Sequence, residues 1–512
     1  MANNVKLIYN DIALGAADDA TVTTIAEGYT TPSAILKGVD PPAIATAELN
    51  GWGLTHDYKA RGTQPLAFWS TARSGEDCVF ATPPTITVDF GSQYTATGLT
   101  LRFSPASMDY CRKVSVQWYQ GATLKSSGTF YPDYPIYIIN RTVEAFDRVV
   151  IALEETNLPG KRAKLEKLTV GAEREINSRE LTNVKFLYEV DLISDTLPSN
   201  LLDASFHSNW DVDFVFQRKQ PVYAYNGDKL AGVYYIKSGR QTGGNTFSVA
   251  CQDLLGVLDL RPHSGGIWLS DTPLTTILND VFGDAVVFDI APEYAGATLR
   301  GFIEPETTSR EALQQIAFAL GACVDTTGTE KVKIFPPPTG TGAEIDPRKT
   351  YIGGAVDTED VVTEVTVTAY IISDERPGED DEYIEFNGEK YKYYTDTKHA
   401  YNPNTVSTDL ENKIKFVGMY LCNNSNAQTI ADNILARYMR RKKYSFTHVT
   451  DGEEVSDRAT AQLPWGEIAN GNITKMTVTV TGLSVSETEM LIGGDNSATI
   501  GVATLGDMIL GV

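Results

Sequence analysis

The sequence predicts a mainly β protein with smaller α+β parts. Short segments in which apolar and polar residues alternate recur along most of the chain, and Gly, Pro and Ser separate them. Three segments instead show the 3.6-residue period of an amphipathic helix. With 512 residues and a hydrophobic fraction of 42%, the chain is long enough for about three packed domains.

The clearest local signal lies between Thr308 and Phe335. Thr308 and Glu311 are spaced as a capping box, which satisfies two free N–H groups at a helix start. The apolar positions that follow share one helical face, and they are Leu313, Ile316, Ala317 and Leu320. Gly321 fits a left-handed helix end, and short strands are predicted at 322–324 and 331–335. We interpret this αββ unit as a scaffold.

The alternating pattern and its interruptions predict six segments. They are an N-terminal arm (1–43), a β-sandwich (44–172), a β-rich block (173–262), an αββ segment (263–350), a second β-rich region with a helix at 426–441 (351–483) and an apolar, Gly-rich tail (484–512). Inside the sandwich, one face of each strand is apolar, as in Ile86, Val88 and Phe90. A second helix is expected at 274–282, with Pro273 at its first position. The tail cannot form a core alone, so we expect it to pack on another chain or domain.

Composition and charge exclude several classes of function. A net charge of -23 argues against tight nucleic-acid binding, which needs clustered Lys and Arg. The five cysteines are scattered without a CxxC pair, which indicates buried thiols in a chain made in the cytosol. We find no signal peptide and no apolar run of membrane-spanning length, so neither secretion by the classical route nor a membrane span is expected. No motif for a cofactor or a metal is present.

Chemistry-bearing residues give weak signals. No two histidines have metal-ligand spacing, and no nucleophile elbow or phosphate loop is present, so we predict no enzyme activity. A pair of glycosidase carboxylates stays open, because such residues are usually distant in sequence. Trp52 and Trp69 are candidate glycan contacts by their loop context, and burial in the sandwich core is the alternative.

Two charged stretches have alternative interpretations. The acidic stretch 374–389 is interpreted as a solvated hairpin tip, and a Ca²⁺ loop is the weaker alternative because the spacing of its ligands does not match. The basic cluster 440–443 either complements the dipole of the preceding helix or binds an acidic neighbouring subunit.

Part of the sandwich resembles a known module. The run FWSTARSGEDCVFATPPTITVDFGSQYTATGLTLRF (68–103), with FDRVVIAL (146–153) and KLEKLTVG (164–171), is similar to the discoidin-type (coagulation-factor C-type) jelly roll. That resemblance implies binding of sugars or lipid headgroups through loops at one end. The chain lacks the terminal Cys pair that often closes the module, and Cys78 and Cys111 lie inside it instead.

Several stretches in order resemble the tail-hub (baseplate-hub, tail-tip) proteins of tailed bacterial viruses. They are 45–54, 187–206, 231–238, 248–259, 309–335, 438–449 and 463–482. The resemblance implies hub barrels at 173–262 and 351–483, with the αββ segment 263–350 inserted between them. It also implies a non-catalytic homotrimer that closes the tail tube at the virion tail tip, made in the bacterial host cytoplasm. Its partners would be the distal tail protein, the tape measure, and receptor-binding or fibre proteins.

Two functional hypotheses from different classes follow. The first is a virion structural protein, a tail hub that anchors the host-adsorption apparatus and contacts cell-surface glycans. The alternative is a carbohydrate-binding or polysaccharide-degrading protein with a jelly-roll targeting module. An acidic chain suits the first hypothesis, because DNA would slide past its surface without sticking.

Overall fold

The computed structural model shows two compact units. The smaller unit contains Ile8–Glu175 and Trp210–Gln220, and the larger unit contains Met1–Leu7, Ile176–Asn209 and Pro221–Val512. The residues that the structure describes are 5–13, 15–25, 28–30, 35–36, 43–44, 46, 48, 53–54, 60–61, 64–104, 107–208, 220–283, 286–405, 410–480 and 482–493.

The described residues between Val5 and Ile176 are mostly β. Its strands are β1 (Val5–Ile12), β2 (Ala20–Ile25), β3 (Gly28–Thr30), β4 (Ala43–Ile44), β5 (Gly53–Leu54), β6 (Ala60–Arg61), β7 (Gln64–Pro65), β8 (Phe68–Ser70), β9 (Thr85–Arg102), β10 (Cys111–Gln120), β11 (Thr123–Phe130), β12 (Ile136–Thr156), β13 (Lys164–Leu165) and β14 (Lys167–Ile176). One short helix, α1 (Ala16–Asp19), precedes β2.

The rest of the chain adds twenty strands and four helices within the described residues. The strands are β15 (Leu181–Glu189), β16 (Leu201–His207), β17 (Pro221–Asn226), β18 (Lys229–Gly243), β19 (Thr246–Gln252), β20 (Gly266–Pro273), β21 (Phe288–Ile290), β22 (Thr298–Ile303), β23 (Cys323–Asp325), β24 (Val332–Phe335), β25 (Ala343–Glu344), β26 (Ala355–Thr358), β27 (Glu364–Ile372), β28 (Tyr383–Phe386), β29 (Glu389–Tyr401), β30 (Lys413–Phe416), β31 (Lys442–Val449), β32 (Arg458–Gln462), β33 (Ile468–Val480) and β34 (Ser484–Ile492). The helices are α2 (Leu254–Leu258), α3 (Leu274–Phe282), α4 (Ser309–Leu320) and α5 (Ala427–Met439).

The smaller unit is built on two long antiparallel strands. β9 pairs with β12 along most of its length, and irregularities between Asn140 and Arg148 shift the register. β10 and β11 continue the sheet beyond β12, while β2 and β14 pair with β9. A second sheet of order β13-β8-β3 contributes Phe68 and Leu165 to the same core. This core contains the apolar faces that alternation predicts, including Ile86, Val88, Leu99, Leu101, Val114, Trp118, Phe146 and Ile151.

The larger unit is organised around β33. Its second half pairs with β15 from Lys475 to Val480, its first half pairs with β32, and β34 lies along its other side. The sheet continues from β15 through β16, β19 and β18 to β17. On the other side it continues from β34 through β31 to β26. The centre of the sheet therefore joins parts of the chain that are almost 300 residues apart in sequence.

An α+β part of the larger unit packs α2, α3 and α4 against two small sheets. One is the pair β20-β22, and the other has the order β21-β24-β23. The capping box at Thr308 and Glu311 is present, and Gly321 ends α4 with φ 64, so the predicted αββ unit is confirmed. The helix at 274–282 is also confirmed, although Pro273 is its N-cap and Leu274 its first residue.

A further layer has the strand order β28-β29-β27-β30, and α5 packs on one face of it. The predicted helix 426–441 is present as Ala427–Met439, with Asn426 as its N-cap. β27 is buried over most of its length. The acidic stretch 374–389 contains a loop and then the β28–β29 hairpin, whose turn is at Asn387 and Gly388.

Two of the predicted segments differ from the observed elements. The predicted N-terminal arm 1–43, interpreted as an arm or a few edge strands, contains β2, which pairs with β9 from Ala20 to Ile25 as part of the smaller unit. The predicted apolar tail 484–512 begins with β34 (Ser484–Ile492), in which Met490 and Leu491 are fully buried. The alternation of SVSETEMLI favours a strand, and the Gly-rich sequence after it obscured that signal. The rest of the tail lies outside the described residues.

Candidate functional site

Trp69 lies on the face of the smaller unit's second sheet that is opposite the apolar core. In the antiparallel pair β8–β13, Trp69 is opposite Lys164 and Phe68 is opposite Leu165. Phe68 and Leu165 belong to the core, and successive residues of a strand point to opposite faces. Trp69 and Lys164 therefore share the face turned away from that core, where Trp69 is half-buried. The other predicted glycan contact, Trp52, lies outside the described residues.

A buried ionic cluster surrounds Lys164. Its ammonium group forms ion pairs with the carboxylates of Glu48 and Asp109, with an Nζ–Oδ2 distance of 2.6 Å to Asp109. All three side chains are almost fully buried. Thr46 donates a hydrogen bond to Glu48, and Ser107 donates one to Asp109. The cluster therefore fixes β13 to two other segments of the smaller unit, those that contain Glu48 and Asp109.

The electrostatics of this cluster are dominated by its cation. Burial alone would raise the pKa of Asp109, but the hydrogen bond and charge of Lys164 outweigh it, so the pKa of this carboxyl is lowered. The whole cluster is satisfied by protein groups. We therefore interpret it as a structural support beneath the Trp69 face.

The larger unit has a buried polar cluster of a different kind. Asp253 caps α2 by accepting a hydrogen bond from the backbone N–H of Gly256. It also accepts hydrogen bonds from the backbone N–H of Asn200, at 3.0 Å, and from the hydroxyl of Thr326, at 2.7 Å. Asp325 lies beside it, because both contact Asn200. Both carboxylates are almost fully buried, so they do not form a cleft in which a polysaccharide could be cleaved.

A cavity of about 300 Å³ lies at the end of α5 in the larger unit. Its apolar wall includes Leu192, Ile193, Phe318 and Ile434, and Pro337 and Pro338 are at its rim. Three arginines line it as well, namely Arg437, Arg440 and Arg458. We refer to it as the arginine cavity.

Contacts from two strands and one loop help to position the arginines of this cavity. Arg437 donates two hydrogen bonds to the carboxylate of Glu359, at 2.8 and 3.4 Å. Arg440 donates to the amide oxygen of Asn472 at 2.7 Å and to the carbonyl oxygen of Leu491 at 2.6 Å. Arg458 reaches the same oxygen of Asn472 at 3.4 Å. Two guanidinium groups therefore donate hydrogen bonds to the same neutral amide oxygen.

Sequence reasoning found only part of this cavity. It noted the basic cluster 440–443, and in the structure Arg441 donates to the carbonyl oxygen of Glu359 while Lys443 pairs with its carboxylate. It missed Arg458 and Asn472, because they lie on β32 and β33 and no local motif connects them to α5. Their proximity follows from the pairing of β32 with β33, which brings residue 458 opposite residue 472. Sequence patterns alone do not give this pairing.

The described cysteines are buried, and the described histidines are held by neighbouring side chains. All five cysteines are buried, and burial raises the pKa of the thiols of Cys111, Cys251, Cys323 and Cys422, which disfavours their reactive thiolate forms. The four described histidines hydrogen-bond to threonine or glutamate side chains, and they are His207, His263, His399 and His448.

The described part of the chain contains no assembled metal site. Within it, no group of three or more His, Cys, Asp or Glu side chains is arranged to hold a metal ion. None of its helices has both the length and the apolar character that a bilayer crossing requires.

The fold and these sites define a mainly β protein of two units whose described polar clusters are structural. No family model matches the chain, and no curated protein matches it. Solved structures that overlap with it include a tail protein from Neisseria meningitidis, at 14% identity and a TM-score of 0.43, over 62% of this chain and 93% of that chain. A 43 kDa tail protein of prophage MuSo2 from Shewanella oneidensis overlaps at 8% identity and a TM-score of 0.43, over 63% and 97% of the two chains. Prophage tail protein gp18 from Listeria monocytogenes overlaps at 10% identity and a TM-score of 0.42, over 65% and 95%. At these levels of similarity the overlaps assign no function to this chain.

Proposed function

We propose that the chain is a virion structural protein, a tail hub that closes the distal end of a phage tail tube and anchors the host-adsorption apparatus. The observation that carries the proposal is the pairing of β15 with β33. The tail-hub-like stretch 187–206 includes the end of β15, and the stretch 463–482 includes β33. These two stretches, almost 300 residues apart, are hydrogen-bonded neighbours from Leu187–Thr477 to Glu189–Lys475.

The other tail-hub-like stretches of the larger unit supply elements of the same unit. The stretch 231–238 lies in β18, 248–259 supplies the end of β19 and α2, 309–335 supplies α4, β23 and β24, and 438–449 ends α5 and supplies β31. The ordered stretches therefore belong to one folded body, as a hub domain requires. The stretch 45–54 belongs to the smaller unit and lies largely outside the described residues.

A non-catalytic role is part of the proposal. The buried carboxylates Asp253 and Asp325 bond to protein donors, and the described thiols are buried. A net charge of -23 favours a tube lining that does not retain DNA. Tight DNA binding by the purified chain at physiological salt would contradict this part of the proposal.

Exposed apolar groups and a projecting polar hairpin of the larger unit support assembly with other chains. Trp465 lies in the turn between β32 and β33, Ile468 begins β33, and they are 59% and 74% exposed. The β18–β19 hairpin projects beyond Ile236, with residues 237–243 exposed on both faces. We assign these features to contacts with sister copies in a homotrimer, or with the distal tail protein, the tape measure or fibre proteins.

Mass in solution and position in the particle test the proposal. We expect a purified trimer at micromolar concentration, with three times the 55.9 kDa mass of the chain, and density for the chain at the tail tip in particle images.

The double substitution Trp465→Ser and Ile468→Ser should shift the mass toward the monomer. The matched pair Leu124→Ser and Tyr131→Ser, exposed on the smaller unit, should leave it unchanged. A monomer at every concentration, together with absence from the particle, would refute the proposal.

A glycan contact through the smaller unit is a second, weaker proposal. The partly exposed position of Trp69 favours it, because an aromatic ring that reaches solvent can stack on a sugar. We expect binding of cell-surface polysaccharide to be weak unless it is multivalent, and we expect Trp69→Ala to abolish it. Turnover of the polysaccharide would instead support the alternative of a polysaccharide-degrading protein.

A further inference from the structure

We propose that the buried cluster around Lys164 forms an intramolecular amide (isopeptide) bond between Nζ of Lys164 and the side-chain carboxyl carbon of Asp109, with Glu48 as the catalytic acid and base. One water molecule is released. The proposal rests on the smaller unit alone and does not depend on the tail-hub function. The reaction takes place once in each chain, so it is a self-modification and not the turnover of a substrate.

The two groups that would react are in contact. Nζ of Lys164 is 2.6 Å from Oδ2 of Asp109, so the carboxyl carbon, one bond beyond this oxygen, lies within about 4 Å of the nitrogen. The two side chains are only 2% and 4% exposed. Groups that a fold holds in contact react far faster than the same groups free in solution, because the entropy of bringing them together is already lost on folding. The smaller unit therefore holds this pair close to the geometry of attack.

Burial removes the obstacle that prevents this reaction in water. There, an ammonium group has no lone pair for attack and a carboxylate is a poor electrophile. Asp109 has a lowered pKa beside Lys164, so it is ionised as long as this lysine is charged. Transfer of one proton from Lys164 to Asp109 gives a free amine and a neutral carboxyl group, and it removes two buried charges at once. The buried site therefore makes the reactive pair of neutral groups accessible.

Glu48 is positioned to move the protons. Its carboxylate contacts the ammonium group of Lys164, and it accepts hydrogen bonds from the hydroxyl of Thr46 and the backbone N–H of Arg162. These two donors fix its orientation. Glu48 can therefore relay a proton from Lys164 to Asp109 and later protonate the oxygen that leaves.

The two oxygens of Asp109 have different neighbours. Oδ1 lies 3.4 Å from the ammonium group of Lys161. Oδ2 accepts hydrogen bonds from Lys164 and, at 2.9 Å, from the hydroxyl of Ser107. A positive charge beside Oδ1 stabilises the negative oxygen that forms when the nitrogen attacks. Oδ2, on the side of Lys164, is the oxygen that leaves as water.

The steps balance without any other reactant. Glu48 transfers one proton from Nζ of Lys164 to Oδ2 of Asp109, and the free amine attacks Cγ while the electrons of the C=O bond move to Oδ1. Glu48 then takes a second proton from the nitrogen and gives it to the hydroxyl at Oδ2. The C–O bond breaks, water departs, and the electrons on Oδ1 restore the C=O bond of the amide. Glu48 ends as the carboxylate that it was at the start.

The bond would be a covalent link that reducing agents do not break. It would connect β13 to the segment that precedes β10. The five cysteines are free thiols, so they supply no such link. Like a disulfide, the amide would restrict the unfolded chain and so stabilise the smaller unit. The ion pairs and the lowered pKa described above belong to the chain before the bond forms.

Mass spectrometry of the full-length chain, purified and denatured, tests the proposal directly. We expect an intact mass lower than the sequence mass by one water molecule. After digestion with trypsin, peptide 103–112, which contains Asp109, should be joined to peptide 163–167, which contains Lys164, because trypsin does not cleave after an acylated lysine. A chain of full mass in which trypsin cleaves after Lys164, even after long incubation of the folded protein, would overturn the proposal.

Two variants separate the reaction from the packing of the cluster. Glu48→Gln keeps the side-chain size but cannot relay protons, so we expect less than about a tenth of the cross-linked fraction of the wild type at equal incubation time. Lys164→Arg keeps the positive charge but lacks the amine, so we expect no link. The matched control is Glu166→Gln, because Glu166 pairs with Arg102 and not with the cluster, and it should cross-link as the wild type does.

Undiminished cross-linking in Glu48→Gln would overturn the role of Glu48. A linked peptide in Lys164→Arg would overturn the assignment of the nitrogen. Circular dichroism shows whether each variant is folded, and the result for the wild-type chain decides the existence of the bond even if a variant does not fold.

Discussion

The two units bury a carboxylate in opposite ways. In the smaller unit, Asp109 is buried against the ammonium group of Lys164, and its pKa is lowered. In the larger unit, Asp253 is buried among neutral donors, and burial raises its pKa although three groups donate hydrogen bonds to it. Both carboxylates are hydrogen-bonded, so the presence of a cation decides the direction of the shift. Hydrogen bonds from neutral groups satisfy the geometry of a buried carboxylate without fully offsetting the loss of hydration.

The largest expected effect comes from removing the cation. Lys164→Met keeps most of the side-chain volume but removes the buried cation from Glu48 and leaves Asp109 with only its 3.4 Å ion pair to Lys161, so we expect it to destabilise the smaller unit by about 3–5 kcal/mol. The measurement is chemical denaturation followed by the fluorescence of the buried Trp118.

The control for this substitution is Lys125→Met on β11, where the lysine is exposed and contacts only the amide oxygen of Gln120 among its recorded hydrogen bonds. It should change the free energy of unfolding by less than about 0.5 kcal/mol. A loss of similar size in both variants would mean that the cluster around Lys164 makes no special contribution.

Removing the carboxylate that has neutral partners should have a smaller effect. Asp253→Ala deletes the cap of α2 and leaves the backbone N–H of Asn200 without its acceptor, so we expect a loss of about 2–3 kcal/mol. Asp289→Ala, at an exposed position of β21, is the control and should be nearly neutral. If Asp253→Ala cost as much as Lys164→Met, the contrast between ionic and neutral partners would fail.

The opposite pKa shifts predict opposite responses to acid. The folded-state pKa of Asp253 is raised, so the folded larger unit binds more protons and should gain stability as the pH falls from this value towards about 3.9, the unfolded value. The folded-state pKa of Asp109 is lowered, so its stabilisation is complete above about 3.9 and is lost as the pH falls further, through its folded-state value. Denaturation of the wild-type chain and Asp253→Asn from pH 7 down to about 4 checks the first point. The wild type should show the larger gain, because Asp195 and Asp457, whose pKa values are also raised, contribute equally in both chains. The same slope in both would show that other groups cause it.

The elements that could be predicted from sequence are those whose signals are local. The cap at Thr308, the end of α4 at Gly321 and the apolar faces of β9, β10 and β12 depend on residues within a few positions of each other. The strand β34 was missed because its alternation is followed by a Gly-rich stretch, and only its pairing with β31 and β33 identifies it as central.

The candidate sites could not be predicted in the same way, because each depends on strand pairing between distant segments. Trp69 could be named as an aromatic in a loop-like context, but its face is set by the register with Lys164, 95 residues later. The arginine cavity needs Arg440 at the end of α5, Arg458 on β32 and Asn472 on β33 to meet. Neither periodicity nor a sequence motif indicates that these distant residues are in contact. From the sequence alone, each residue can be named but the site cannot be assembled.

The smallest expected effect tests the local part of this contrast. Thr308→Ala removes the hydroxyl that accepts from the backbone N–H of Glu311, so we expect a loss of about 1 kcal/mol in the larger unit. Thr308→Ser keeps that hydroxyl and should retain most of the stability. Thermal or chemical unfolding of both variants measures the difference. Because tertiary contacts of Ala312, Leu313 and Ile316 in the core also hold α4, the helix should persist in both variants. A loss as large as that of Asp253→Ala would mean that the local cap, rather than packing, determines whether α4 forms.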